Sequence, residues 1–265
     1  MTSLSILEIG LLSPVGGLAE LARVCAQGAG PEAAAILPQF ITASGPEFRR
    51  TPRLARLALT ALTPLAPRPG DPGQALVLAT AHGSTAATFE FLDSVLRDGP
   101  ALASPTAFAH SVTNMAAALV GRHLGLTGPA LTVTNALLTP ALETAASLLV
   151  AGMAETVFLG AVAEISPLMD EVERRVGRIV SIPVEGAVFF RLGLAEGSSQ
   201  GPRLVNAREA EAAEAASGLW PAFGQGPLAS AFRLALAFWR FKEPGLAGFG
   251  FPGEDFRLEG NDDQP

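Results

Sequence analysis

Tyrosine is absent from this 265-residue chain, and cysteine occurs once, at Cys25. A lone cysteine excludes a disulfide framework and a cysteine metal site. It sits in LAELARVCAQGAG, a helix-like stretch ending at glycine, and reads as a structural thiol, not a reactive one. Lys242 is the single lysine, so nearly every base is arginine. With the heavy alanine, glycine and proline content, this reads as genome-composition bias and not as function. Long uncharged apolar runs are missing too. The most apolar region, 136–163, is interrupted by Glu143 and Glu155, leaving segments well short of the roughly 20 residues needed to span a bilayer. The opening MTSLSILEIG lacks a basic region and carries Glu8, so no signal peptide is expected and the location is read as cytoplasmic. A formal charge of −7 argues against general nucleic-acid binding. No glycine-rich phosphate loop, zinc spacing or solenoid repeat occurs, so neither metal nor cofactor is expected.

What is present is apolar: 49% hydrophobic against 16% charged residues. For a soluble protein that composition implies a sheet buried on both faces or a large subunit interface. The patterning predicts strands over 3–9, 74–80, 131–134, 156–164 and 186–196. QALVLAT (74–80) and TVFLGAVAE (156–164) are the short uninterrupted runs of doubly buried strands. Helices are predicted over 18–27, 52–62, 85–97 and 111–124, then after residue 138, and near 207–217 and 227–240. Short strands follow near 246–249 and 256–258, and EGNDDQP is a polar tail. Strands alternating with helices make the chain α/β.

One junction stands out. In GPALTVTNALLTPALETAA (128–146) a β-prone run stops at Asn135-Ala136 and restarts as a helix, with Thr139 as the expected N-cap and Pro140 at the first helical position. A strand feeding a helix N-terminus presents reactive side chains well, because the orphan amides there stabilise negative charge. Yet Ala136, Leu137 and Leu138 carry no nucleophile.

Several segments together resemble the β-ketoacyl synthase branch of the thiolase fold. ILEIGLLSPVGG is similar to its opening strand and Ser-Pro-x-Gly turn. ASPTAFAHSVTNMAAALVGRHLGLTGPALTVTNALL is similar to its Ser-Pro, Phe-x-x-Ser-Val, small-residue helix, Gly-Pro and nucleophile strand. LLVAGMAETVFLGAVAEIS and VEGAVFFRLG resemble the elements that follow. The resemblance covers 3–196 and implies a thiolase-like fold: a complete N-terminal half, 1–196, with a mixed sheet and flanking helices. Residues 197–265 are then a truncated remnant of the second half, fused into a single domain of 1–265, and the 227–240 helix is expected to cover the first half.

The departures define the expectation about activity. The family's cysteine falls at Leu137. Its two downstream histidines have no counterpart, since His82, His110 and His123 all precede that position. Lys242 lacks the surroundings of the family's lysine. The resemblance is to short chain-length-factor-type homologues. It implies a catalytically silent partner of an active β-ketoacyl synthase, working with an acyl carrier protein in fatty-acid-, polyene- or polyketide-type biosynthesis. In that fold the nucleophile strand lies at the dimer interface and each subunit helps shape its neighbour's acyl tunnel. The alternatives are a stand-alone acyl-thioester hydrolase or malonyl decarboxylase with a repurposed pocket, or a homodimeric acyl-binding protein.

Leu137 and Leu138 read as core or interface packing, with an acyl-tunnel contact as the alternative. Thr139 reads as a cap. His110 and Ser111 are adjacent, and adjacency is not a catalytic geometry; His110 and Asn114 are carried as pocket or interface candidates. Thr113 and Asn114 are expected to hydrogen-bond across a buried turn, and His123 to end a helix favourably. Arg49, Arg50, Arg53 and Arg56, and separately Arg174, Arg175 and Arg178, are candidates for docking an acidic carrier protein. The plainer reading is a solvated helix face, with Glu171 and Arg175 paired at i,i+4.

Overall fold

The computed structural model describes residues 3–26, 36, 48, 50–65, 73–177, 184–195, 203–206, 227–240, 249–250 and 256–259. Its frame is one eight-stranded sheet. The strands are β1 (Leu4–Leu12), β2 (Gln74–Thr80), β3 (Ala130–Thr134), β4 (Thr156–Ala163), β5 (Gly186–Leu194), β6 (Arg203–Asn206), β7 (Phe249–Gly250) and β8 (Phe256–Glu259). Across the sheet they run β3-β2-β4-β5-β1-β6-β8-β7. β2 pairs in parallel with β3 and β4, whereas β5 is antiparallel to both β4 and β1. The sheet is therefore mixed, as expected.

β2 shows why a continuous apolar run reads as a central strand. Successive side chains point to opposite faces, so Ala75, Val77 and Ala79 enter one core while Leu76 and Leu78 enter the other. The first core is closed by helices α1 (Leu18–Ala26), α6 (Thr139–Val150) and α8 (Pro227–Arg240). The second is closed by α2 (Arg53–Leu62) and α5 (Met115–His123). In α2 the spacing of Leu54, Leu57, Ala58 and Ala61 puts all four on the buried face. Leu138, Leu142, Ala145 and Leu149 do the same for α6. The layers are thus helix, sheet, helix.

Two glycines set the distance between these layers. Gly160 of β4 lies directly opposite Phe189 of β5, and a Cβ at 160 would overlap the Phe189 ring. Gly10 of β1 lets the Ala61 carbonyl of α2 come equally close. Neither needs an unusual backbone; each is glycine because something else fills its side-chain space.

The structure revises several expectations. The helix expected over 111–124 starts later, as α5 at Met115, and a separate helix that was not expected, α4 (Pro105–Ser111), precedes it across Val112–Asn114. Thr113 and Asn114 are exposed, so they cross no buried turn. The α3 helix (Thr85–Asp98) forms where expected but buries none of its side chains. β1 runs through GLL before the 13–17 turn. β6 was not legible in the sequence; it forms by pairing with β8 and, at Leu204, with Leu4 of β1. β6, β8 and β7 continue the first sheet beyond β1. The predicted 207–217 helix lies outside the described residues. α8 packs on β4 and β5, burying Leu234, Ala235 and Ala237 of the expected face together with Phe232. Phe238 is partly buried against the same core; Phe241 lies outside the described residues.

Replacing Gly160 with alanine should lower stability by about 1–3 kcal/mol through overpacking. Phe232→Ala should cost about 3–5 kcal/mol by opening a cavity. Both are read as midpoint shifts in urea unfolding. Deleting 227–265 should give insoluble protein, and a soluble, cooperatively folding 1–226 fragment would refute the covering role of α8.

Candidate functional site

The β3–α6 junction has the geometry of a nucleophile turn. The Asn135 amide donates to the Thr80 carbonyl at 3.1 Å, extending the β2–β3 ladder by one residue. The Asn135 side chain then folds back, its Oδ1 accepting from the Leu137 amide at 2.9 Å. This side-chain turn aims the chain into α6. The helix opens a residue earlier than the capping expectation: Thr139 is inside it, Leu138 holds the N-cap position in a helical conformation, and Pro140 follows. The Leu138 carbonyl accepts from the Ala141 and Leu142 amides.

The junction separates two residues that the sequence reading treated together. Leu138 is fully buried in the core beneath α6, whereas Leu137 is 41% exposed. The Leu137 side chain therefore points away from the core and offers a methyl surface.

Among the described residues the only ladder of β3 is with β2, so within them β3 is an edge strand. Leu131 on β3 is exposed, as are Leu92 and Leu96 of α3, Leu102 in the 3-10 turn Pro100–Leu102, Phe108 of α4 and Val112. Phe108 stacks on Phe91 of α3, ring centroids 5.4 Å apart.

With Arg50, Arg53, Glu90 and Glu164, His110 lines a cavity of about 270 Å³ between the starts of α2 and α3, the end of α4 and the end of β4. Ser111 donates its hydroxyl to the Phe108 carbonyl at 2.7 Å. His82 is exposed on the turn between β2 and α3. His123 ends α5, as expected, and its ring packs against Phe48 at 4.5 Å. No cluster of metal-ligating side chains occurs among the described residues, and none of their helices is long and apolar enough to cross a membrane.

A buried ion pair lies beside the cavity. Arg53 Nε donates to Glu185 Oε1 at 2.6 Å, and Arg53 Nη2 reaches the Ile36 carbonyl at 2.6 Å. Glu185 is 1% exposed, and its other oxygen accepts from the Ile165 amide at 3.3 Å. Burial pushes the Glu185 carboxyl above its ordinary range, against the opposing pull of Arg53. Glu164 is also raised, by burial first and then by the charge of Glu185. Sequence reading missed this arrangement, since Arg53 and Glu185 are 132 residues apart.

The docking candidates divide. Arg50 is exposed at the cavity, while Arg53 is turned inward and committed to Glu185. Arg56 is half-buried on α2. On α7 (Pro167–Arg175) the intrahelical pairing expected from the spacing is present: Arg174 and Arg175 both bind Glu171. Arg49 and Arg178 lie outside the described residues. Cys25 is half-buried against the core, and burial pushes its thiol up.

A mixed sheet between two helical layers, with an edge strand running straight into a helix, is a thiolase-like fold. Residues 40–216 match the family described as the beta-ketoacyl synthase N-terminal domain. The chain belongs to that family. No curated protein matches it. Among solved structures it is similar to the ishigamide ketosynthase/chain length factor, with 21% identity over 78% of this chain and 68% of the other and a TM-score of 0.63. It is also similar to a chain of the complex between the ketosynthase ApeO and its chain length factor ApeC from Xenorhabdus doucetiae. There the identity is 18%, coverage is 97% and 98%, and the TM-score is 0.64. A β-ketoacyl synthase from Burkholderia phymatum matches with 14% identity over 78% and 64% of the chains and a TM-score of 0.58.

The pH dependence of Glu185 is checkable. Its folded pKa lies above the unfolded value, so the folded state holds the proton longer and its contribution declines as pH rises through that window. The melting temperature of Glu185→Gln relative to wild type should therefore increase from pH 4.5 to 7.5; a difference that shrinks would contradict the assignment. Arg53→Ala, which strands the buried carboxyl, should cost about 3–5 kcal/mol in the same assay at neutral pH.

Proposed function

We propose that this chain is a catalytically silent ketosynthase homologue that acts as the chain-length or scaffolding subunit of an active β-ketoacyl synthase. The single observation that carries this is Leu137. At the position where the family places its cysteine, an exposed alkyl side chain stands on an otherwise intact turn. The absence of any histidine after residue 123 supports the same reading. The β3 edge and the exposed apolar residues of α3 and α4 support a partner subunit, since apolar surface left bare on one chain is an association site. The names of two similar structures, each a ketosynthase with a chain length factor, agree with it. In this reading 197–265 is the remnant of the second half, whose strands extend the first sheet. Leu137 faces the partner's acyl pocket, with His110 and Asn114 on the neighbouring surface, and an acyl carrier protein docks at exposed arginines such as Arg50.

Fatty-acid-, polyene- or polyketide-type chains are the substrates on which such a subunit would act. Its contribution is volume: a bulky side chain at the pocket wall opposes a longer acyl chain through overpacking of about 1–3 kcal/mol, roughly a tenfold bias or more per added unit.

Co-expression with a ketosynthase encoded nearby should give a stable complex by size-exclusion chromatography with light scattering. Leu137→Ala should lengthen the products and Leu137→Trp shorten them, with the complex intact. Leu137→Cys should not restore condensation to this subunit. A clean monomer with no influence on product length would remove the proposal.

A further inference from the structure

We propose that Glu164 is a positioning residue, a latch that fastens the α3–α4 arm to the end of β4. The arm is a helical pair held together by its own contacts: the Phe91–Phe108 stack and the Thr88 hydroxyl donating to the Ser111 carbonyl at 3.3 Å. Its longer member, α3, spans about 21 Å at 1.5 Å per residue and has no buried side chain. Burial of apolar surface therefore does not fix it to the sheet, and elements with few buried contacts open most readily. Something else must hold its root.

Glu164 follows β4 directly and sits at that root. Its Oε1 accepts from the Ala86 amide in the first turn of α3 at 3.1 Å. Glu164 extends from the end of β4, a strand buried in both cores, so the carboxylate stands on the fixed side of the clamp. α3 is the side that can lift.

The charges around the latch make its grip depend on protonation. It faces Arg53 of α2 and Arg50 in the turn before it, Glu90 of α3 and His110 of α4. From the segment before β5 comes Glu185, which shares Arg53. A buried carboxylate, Glu185, and a half-buried one, Glu164, share one inward guanidinium, so one negative charge is poorly compensated when both are ionised. The cavity of about 270 Å³ gives water access to that place. Burial and Glu185 raise the Glu164 carboxyl, and the hydrogen bonds and Arg53 only partly offset this. When the arm lifts, Glu164 is hydrated and returns toward its ordinary value. The closed arm is therefore the better proton binder, and it is favoured as pH falls through the window between the two values. The protonated carboxyl keeps an oxygen to accept the Ala86 amide.

The inference stands on this geometry and does not require the partner-subunit reading. The test is hydrogen–deuterium exchange on the full chain at pH 5.0 and 7.5, expressed as protection factors so that intrinsic rates cancel. In wild type, protection over 86–98 should fall severalfold from pH 5.0 to 7.5, beyond any change in β2 and β4, whose amides report the effect of Glu185 on global stability. Glu164→Gln, which keeps an acceptor without the charge, should hold the arm protected at both pH values. Glu164→Ala should leave 86–98 weakly protected at both. The β2 and β4 amides report whether a variant has lost its fold, in which case the glutamine variant decides alone. A glutamine variant with wild-type pH dependence, or an alanine variant with wild-type protection over 86–98, overturns the proposal.

Discussion

The constraint on which this molecule depends is that β2, β4 and β5 are apolar on both faces. Water must be kept from two sides of one sheet, and a fully buried leucine or phenylalanine contributes about 1.5–3 kcal/mol only if both covers are present. α2 and α5 supply one cover. α1, α6 and α8 supply the other, and α8 comes from the far end of the chain. The short C-terminal segment is thus a working part of the first half's core. Because the two covers bury the sheet's centre, they leave its β3 edge to be dealt with in another way.

Legibility followed the physics that made each element. β2, β4 and β5 could be read because an unbroken apolar run in a strand has one meaning when both faces are covered. α2, α6 and α8 could be read because their leucines, alanines and phenylalanines recur at helical spacing. β6 could not: Arg203–Asn206 has no distinctive pattern and becomes a strand because β8 pairs along its whole length and β1 with its first two residues. α4 was missed because PTAFAHS is short and holds few strong helix formers, its start being set by the Ser104 cap. The exposure of α3 was missed because exposure depends on what lies opposite.

The site divides along the same line. The turn at Asn135 and the inert Leu137 were readable, since both are local in sequence. That Leu137 is exposed while Leu138 is buried depends on the angle at which the Asn135 turn feeds α6. The Arg53–Glu185 pair and the Glu164 bridge join segments remote in the chain, and no local pattern signals them. Thr139 illustrates a smaller shift: a cap assigned from residue type moved by one position once Leu138 adopted a helical backbone.

The Asn135 turn also bears on how freely this site can change over evolutionary time. The turn is held by the Asn135 side chain and by backbone groups, and the Leu138 side chain anchors it from below. None of these uses the side chain of Leu137. Residue 137 is a socket in which the backbone is fixed and the occupant is interchangeable, so exchanging leucine for another side chain there carries almost no penalty in folding. A lineage can change what this position presents by single substitutions while the scaffold stays under its own separate selection. Position 138, one residue on, has no such latitude.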